Sequence, residues 1–366
     1  MPSAGRGGNR KIFLQRNKAL ACYYGRLHTP VFIVGAPRSG TTVLKVVLNR
    51  HPELAVCGES RFFIKIYNRR AAFGDLASTE NRARAVDAYL ATPAPERLGI
   101  DRDLLRDRLM SEAVNCREFF AAMLRTFALQ HGKPHAGEKT PYHAMYAKIL
   151  SDWFPEATII HLIRDPRDSV SSLMKMPWSV HSAAVCAYRW RTITAAGSSI
   201  SDRANYLRLR YEDLAREPEA ELRRVCDRIG IGWAPEMLEA SAPAENTVWW
   251  YRRAHQPLNS ARVGIWQSEL APWQVAVVER IAGQWMDEFG YERHEPRAGA
   301  AIMLRAAFDA FIETGFQKTF RLPAALSGLL APTNLEREER WRAQACDFYA
   351  RVRLRVPEKP PQRASG

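Results

Sequence analysis

The chain has 366 residues, 46% of them hydrophobic and 25% charged, which is enough to bury a full core and is ordinary for a globular protein. No apolar run approaches the roughly 20 residues of a membrane-spanning helix, and no apolar core follows the basic start MPSAGRGGNRKIFLQRNK. Neither a transmembrane segment nor a secretory signal is expected, which reads as a cytoplasmic protein. A formal net charge of +14 calls for an anionic partner without choosing among nucleic acid, a membrane surface and a small anionic substrate.

Residues 1–28 read as a basic arm with a short helix. Next comes VFIVGAPRSGTTVL, from Val31 to Leu44. Val31–Val34 predicts a strand and Gly40–Arg50 a helix, with Gly35 and Gly40 at the spacing of a phosphate-binding loop. A triphosphatase loop carries lysine just after its second glycine; this chain has Thr41 there, and its basic residue, Arg38, lies inside the loop. Backbone N–H groups at such a helix start bind phosphate or sulfate. Arg38 adds a fork of donors, and Ser39, Thr41 and Thr42 add hydroxyls. In HPELAVCGESRFF, Leu54–Cys57 predicts a strand, and Glu59 is a carboxylate brought back to the loop.

A long insertion follows, about residues 61–133. The segments ENRARAVDAYL, DRDLLRDRLMSEAV and REFFAAMLRTFALQHG have helical periodicity, and the insertion is expected to pack on the sheet edge or cover the ligand cleft. GEKTPYH, Gly137 to His143, supplies Lys139 and His143. TIIHLI, Thr158 to Ile163, is a strong strand that ends in Arg164-Asp165, and Pro166 suits the first turn of a helix. Arginine at that strand end suits a second phosphate, while Asp165 leaves a magnesium site open. Tyr206–Arg210 predicts another strand, followed by Tyr211 and a helix over Glu219–Ile229.

Beyond lie the aromatic and basic stretch ENTVWWYRRAHQ, Glu245 to Gln256, and then HQPLNSARVGIWQSEL. The tail carries two amphipathic helices, AIMLRAAFDAFIETGFQKTF and LEREERWRAQACDFYARVRLR, before the disordered composition of VPEKPPQRASG. The six cysteines form no C-x-x-C pair and no zinc spacing, so free thiols are expected. Strands alternating with helices predict an α/β fold with a central parallel sheet.

GAPRSGTT followed far downstream by LIRDPRDSVSS resembles the sulfotransferase superfamily, over roughly Pro30 to Tyr291. The resemblance implies a three-layer, P-loop-containing α/β fold and the donor 3′-phosphoadenosine 5′-phosphosulfate, PAPS, with adenosine 3′,5′-bisphosphate as product and no metal. The changes of pattern along the chain divide it into a basic arm at 1–28, a domain at 29–296 that carries the resemblance and contains the insertion, and a helical extension at 297–366. The resemblance implies that Pro37, Arg38, Ser39, Gly40, Thr41 and Thr42 hold the 5′-phosphosulfate. Arg164 and Ser172 would hold the 3′-phosphate, and Tyr211 would lie near the purine. Ser260 and Arg262 would contact phosphate, with Trp266 near the purine. Arg38 in the loop matches tyrosylprotein and many bacterial sulfotransferases; the tyrosylprotein type places a glutamate base where Glu59 stands and an arginine near the acceptor where Arg61 stands. Lys139 matches the catalytic lysine. Phenol- and steroid-type enzymes place a histidine base two residues after that lysine; Pro141 stands there, which leaves His143 as a secondary candidate.

The resemblance implies an acceptor with a hydroxyl or amine and does not say which. The insertion and the tail are candidates for shaping its pocket or an oligomer contact. Two other readings stay open. A P-loop kinase would need ATP and magnesium, and Thr41 in the lysine position argues against it. A non-enzymatic nucleic-acid-binding module would need basic residues interleaved with aromatics on one surface, whereas the basic residues here are scattered, so no nucleic acid is expected.

Overall fold

The computed structural model describes residues 28–176, 178–242, 253–294 and 298–330. The basic arm up to residue 27, most of the aromatic and basic stretch (243–252) and the second tail segment lie outside the described residues. Five strands form one parallel sheet in the order β2-β3-β1-β4-β5: β1 His28–Gly35, β2 Leu54–Cys57, β3 His135–Lys139, β4 Thr158–Ile163 and β5 Tyr206–Arg210. The longer helices are α1 Thr41–Asn49, α2 Thr79–Leu90, α3 Arg102–Glu112, α4 Cys116–Gln130, α5 Pro166–Met174, α6 Ala183–Ser198, α7 Pro218–Ile229, α8 Pro272–Glu288 and α9 Ala300–Leu330.

Successive residues of β1 point to opposite faces of the sheet. Val31 and Ile33, with Ile160 and Leu162 of β4, pack under α1 (Leu44, Val47, Leu48) and α7 (Leu222, Val225). Phe32 and Val34, with Ile159 and Ile163, meet Phe120 and Met123 of α4, Trp190 and Ile193 of α6, and Met286 of α8. The result is three layers, as the resemblance implied. The Phe32 and Phe120 rings stack with centroids 5.7 Å apart.

β2, β4 and β5 fall where the sequence put them. β3 does not: HAGEK has no apolar alternation and was not read as a strand. It forms because it lies between β1 and β2, paired from His135 to Lys139, and because Gly137 lets the strands approach. A Cβ at Gly137 would stand 2.9 Å from the Val31 carbonyl oxygen. A short helix, Tyr211–Arg216, and helices α6 and α8 also went unread.

The insertion separates β2 from β3. Its helices α2, α3 and α4 begin at side-chain caps, Ser78, Asp101 and Asn115, each accepting a backbone N–H. Helix α4 covers one sheet face. Where the chain leaves α1 for β2, Lys133 Nζ donates to the carbonyls of Asn49 (2.7 Å), His51 (2.8 Å) and Leu54 (3.1 Å).

Of the cysteines, Cys57, Cys186 and Cys226 are buried free thiols and Cys116 is half-buried; Cys22 and Cys346 lie outside the described residues. The first tail segment lies within α9, which packs on α6 and α8 and leaves Leu304, Phe308 and Phe311 exposed.

Candidate active site

From the C-terminal end of β1 the chain runs toward β2 on one side of the sheet, and from that of its neighbour β4 it runs toward β5 on the other, so the connections leaving these two adjacent strands diverge. Open parallel sheets bind ligands in the crevice at such a point. Every strand delivers a sequence-predicted residue at that edge: the Gly35–Gly40 loop after β1, Glu59 after β2, Lys139 ending β3, Arg164 after β4 and Tyr211 after β5.

Gly40 has φ +96°, and a Cβ there would lie 2.5 Å from the Tyr211 ring, so glycine is what lets that ring close on the loop. Arg38 is left-handed as well, with φ 72°. Its Nε donates to Ser172 Oγ at 3.0 Å, which joins the first motif to the second. Arg164 donates to the Arg38 carbonyl (3.1 Å) and to the Arg262 carbonyl, and its guanidinium lies 4.5 Å over the Tyr211 ring. Arg38, Gly40, Arg164, Ser172, Tyr211 and Arg262 therefore form one continuous cluster. Ser39 and Thr41 are buried, and Pro37 and Thr42 are half-buried. Among the described residues, Ser39 Oγ and Arg164 Nε are buried without a hydrogen-bond partner.

Ser260 is exposed at the start of a short turn. Trp266 is buried, with the Arg167 guanidinium 4.0 Å over its ring and His294 against its edge, so it anchors the segment to α5. Asp165 is the N-cap of α5 and pairs with Arg167 at 2.7 Å.

On the other side of the loop, Lys139 Nζ donates to Glu59 Oε1 at 2.9 Å; the lysine side chain is 4% exposed and the glutamate 32%. Burial pushes the Glu59 carboxyl up, but the charge and hydrogen bond of Lys139, with the charge of Arg61, outweigh it and hold the group below its ordinary value. Arg61 is left-handed, φ 54°. His143 has no exposed surface; its Nδ1 faces Glu138 Oε2 at 3.0 Å, and its ring stands edge-on to Phe63 and Phe120.

Four residues at this edge were not singled out from sequence. Asp168 accepts the backbone N–H of Gly264 (2.8 Å) and of Trp266 (2.9 Å), tying residues 264–266 to α5. Glu212 accepts the Asp165 N–H (2.9 Å) and the Tyr291 hydroxyl (2.8 Å), and burial raises its pKa. Lys45, one turn into α1, has its pKa lowered by burial and then by the positive charge of Lys139. Glu138 is wholly buried. Asp168 sits inside the quoted LIRDPRDSVSS string and Glu212 directly follows Tyr211, so their position was legible although their partners were not.

The description "Sulfotransferase family" matches residues 30–235. The chain is 25% identical over 226 residues to protein-tyrosine sulfotransferase A of Caenorhabditis elegans, covering 59% of this chain and 53% of that protein. It is 28% identical over 180 residues to omega-hydroxy-beta-dihydromenaquinone-9 sulfotransferase of Mycobacterium tuberculosis, covering 43% and 42%. The chain thus spans about half the length of the curated relatives it matches. In structure it resembles the sulfotransferase domain of the Synechococcus PCC 7002 olefin synthase, with a TM-score of 0.52 at 22% identity over 73% of this chain and 96% of that one. With its glycine loop and its Arg164 motif inside the matched residues 30–235, more than half of its length, the chain belongs to the sulfotransferase family.

Proposed function

We propose that the protein transfers a sulfuryl group from PAPS to a hydroxyl or amine acceptor, with no metal in the mechanism. The observation that carries this reading is the division of the sheet's C-terminal edge. A cationic cluster of Arg38, Arg164, Ser172, Tyr211 and Arg262 lies on one side of the loop, and the Glu59–Lys139 pair lies on the other. The buried donors Ser39 Oγ and Arg164 Nε, which have no partner among the described residues, fit a polyanionic ligand.

PAPS supplies the sulfuryl group when bound. Pro37, Ser39, Gly40, Thr41 and Thr42, at the start of α1, would hold its 5′-phosphosulfate together with Arg38. Arg164 and Ser172 would hold the 3′-phosphate, with Tyr211 at the purine and Ser260 and Arg262 closing over the phosphates. Glu59 takes the proton from the acceptor; its lowered pKa keeps it ionised through the neutral range. Lys139 neutralises charge that builds on the leaving oxygen. His143, the secondary candidate, has no exposed surface and is given no proton transfer in this reading.

The test is calorimetric titration with adenosine 3′,5′-bisphosphate beside ATP–Mg²⁺. Binding of the bisphosphate and not of ATP–Mg²⁺ is expected. The reverse pattern overturns the reading in favour of a kinase.

A further inference from the structure

Glu138 and His143 are buried, titratable and adjacent to the reacting groups, yet the mechanism above gives neither a chemical step. Both have 0% exposure. A carboxylate so placed is costly unless its oxygens are satisfied. Glu138 Oε1 accepts the Ser60 backbone N–H (3.1 Å), the Ser60 hydroxyl (2.8 Å) and the Thr140 hydroxyl, while Oε2 lies 3.0 Å from His143 Nδ1 without a hydrogen bond among the described residues. Ser60 is itself wholly buried, and its carbonyl accepts the Tyr89 hydroxyl at 3.3 Å.

Neighbours in sequence make the arrangement legible. Ser60 follows Glu59, and Glu138 precedes Lys139. The buried Ser60–Glu138 contact and the Glu59–Lys139 ion pair are therefore two adjacent rungs between the same two pieces of chain, the turn after β2 and the end of β3. The lower rung is enclosed; the upper rung is open to solvent at Glu59. His143 lies beside the lower rung, and its backbone N–H donates to the Thr140 carbonyl at 2.9 Å.

We propose that Glu138, held through Ser60 and Thr140, is a positioning residue for the reaction. By fixing the Ser60 amide and hydroxyl, it sets the place of Glu59 against Lys139. The inference rests on the role given to Glu59 above. A misplacement of about 1 Å at a reacting group can cost about 100-fold in rate, so the effect falls on turnover and spares the nucleotide site on the far side of the loop.

The experiment compares Glu138→Gln, Glu59→Gln and the double variant, with Ser60→Ala as a milder change should Glu138→Gln fold poorly. Three quantities are measured: affinity for adenosine 3′,5′-bisphosphate, release of inorganic sulfate from PAPS with water as acceptor, and the Glu59–Lys139 separation in crystals of each variant. Glu138→Gln is expected to keep affinity within about twofold, to slow sulfate release about 10- to 100-fold, and to lengthen or break the Glu59–Lys139 contact. The double variant is expected to be no slower than Glu59→Gln alone, because Glu138 acts through Glu59. Additive losses, or a Glu59–Lys139 pair unmoved in both the Glu138→Gln and Ser60→Ala crystals, would overturn the proposal. Failure of the wild-type protein to bind the bisphosphate would instead overturn the sulfotransferase reading, and the crystals would still report whether Glu138 sets the pair.

Discussion

Lys139 donates to Glu59 and holds its carboxyl below its ordinary value, and that pairing sets what Glu59 can do. Glu59→Gln keeps the size of the side chain and removes the proposed base, so turnover should fall by about 10²-fold or more while bisphosphate affinity stays. Near wild-type turnover would remove Glu59 from the role. Because Lys139 and Arg61 hold the Glu59 carboxyl below its ordinary value, the acid limb of the rate profile should lie below the usual glutamate range. Raising that carboxyl by Lys139→Met should move the limb toward higher pH. Arg164 touches the loop, the Tyr211 ring and the Arg262 carbonyl at once, so Arg164→Ala should weaken bisphosphate binding; titration calorimetry checks it. The individual site residues were legible because strand-end motifs carry their chemistry in short strings. Their partners were not. The contact of Arg38 with Ser172 spans 134 positions, and nothing local in the chain announces it.

Among the elements, the strands rich in β-branched and apolar residues, such as TIIHLI, announced themselves, while β3 was set by its neighbours. HAGEK carries two charged residues and a glycine, and its place between β1 and β2 overrides its poor propensity. Helix α1 shows the same dependence on distant chain. Its C-terminal end has no basic residue of its own in the last turn, and Lys133, from just before β3, donates to the Asn49 carbonyl that ends it and to the carbonyls of His51 and Leu54 in the passage to β2. Lys133→Met should therefore destabilise the fold by about 2 kcal/mol, the scale of hydrogen bonds to a charged donor, as read from urea unfolding midpoints. A midpoint unchanged from wild type would mean that water replaces the lysine without loss.

For the whole molecule, acid stability has an identifiable contributor in His161, in the middle of β4. It is wholly buried, its Nδ1 lies 2.9 Å from the Tyr206 hydroxyl, and its ring occupies the space beside Gly197. Burial, then the charge of Arg208, lowers its pKa from 6.5 to about 3. The native state keeps this histidine neutral where the unfolded chain has taken up a proton. Stability from this group is thus full above pH 6.5 and declines as pH falls toward about 3. His161→Gln should flatten that part of the stability profile in urea titrations between pH 7 and 4. Net charge and composition, read from the sequence, could not locate such a group, because its pKa depends on the packing of β4, β5 and α6.

Arg38 and Arg61 are the described non-glycine residues with positive φ, and both stand beside the proposed chemistry. Such a conformation costs an ordinary side chain about 1–2 kcal/mol, which glycine would avoid. Selection for thermal endurance alone would favour relieving these two positions, and selection for function would refuse it. The pull between the two makes a directed-evolution experiment informative: screened only for heat resistance, the chain should drift toward glycine at Arg38 and Arg61 and lose its catalytic competence as it does so.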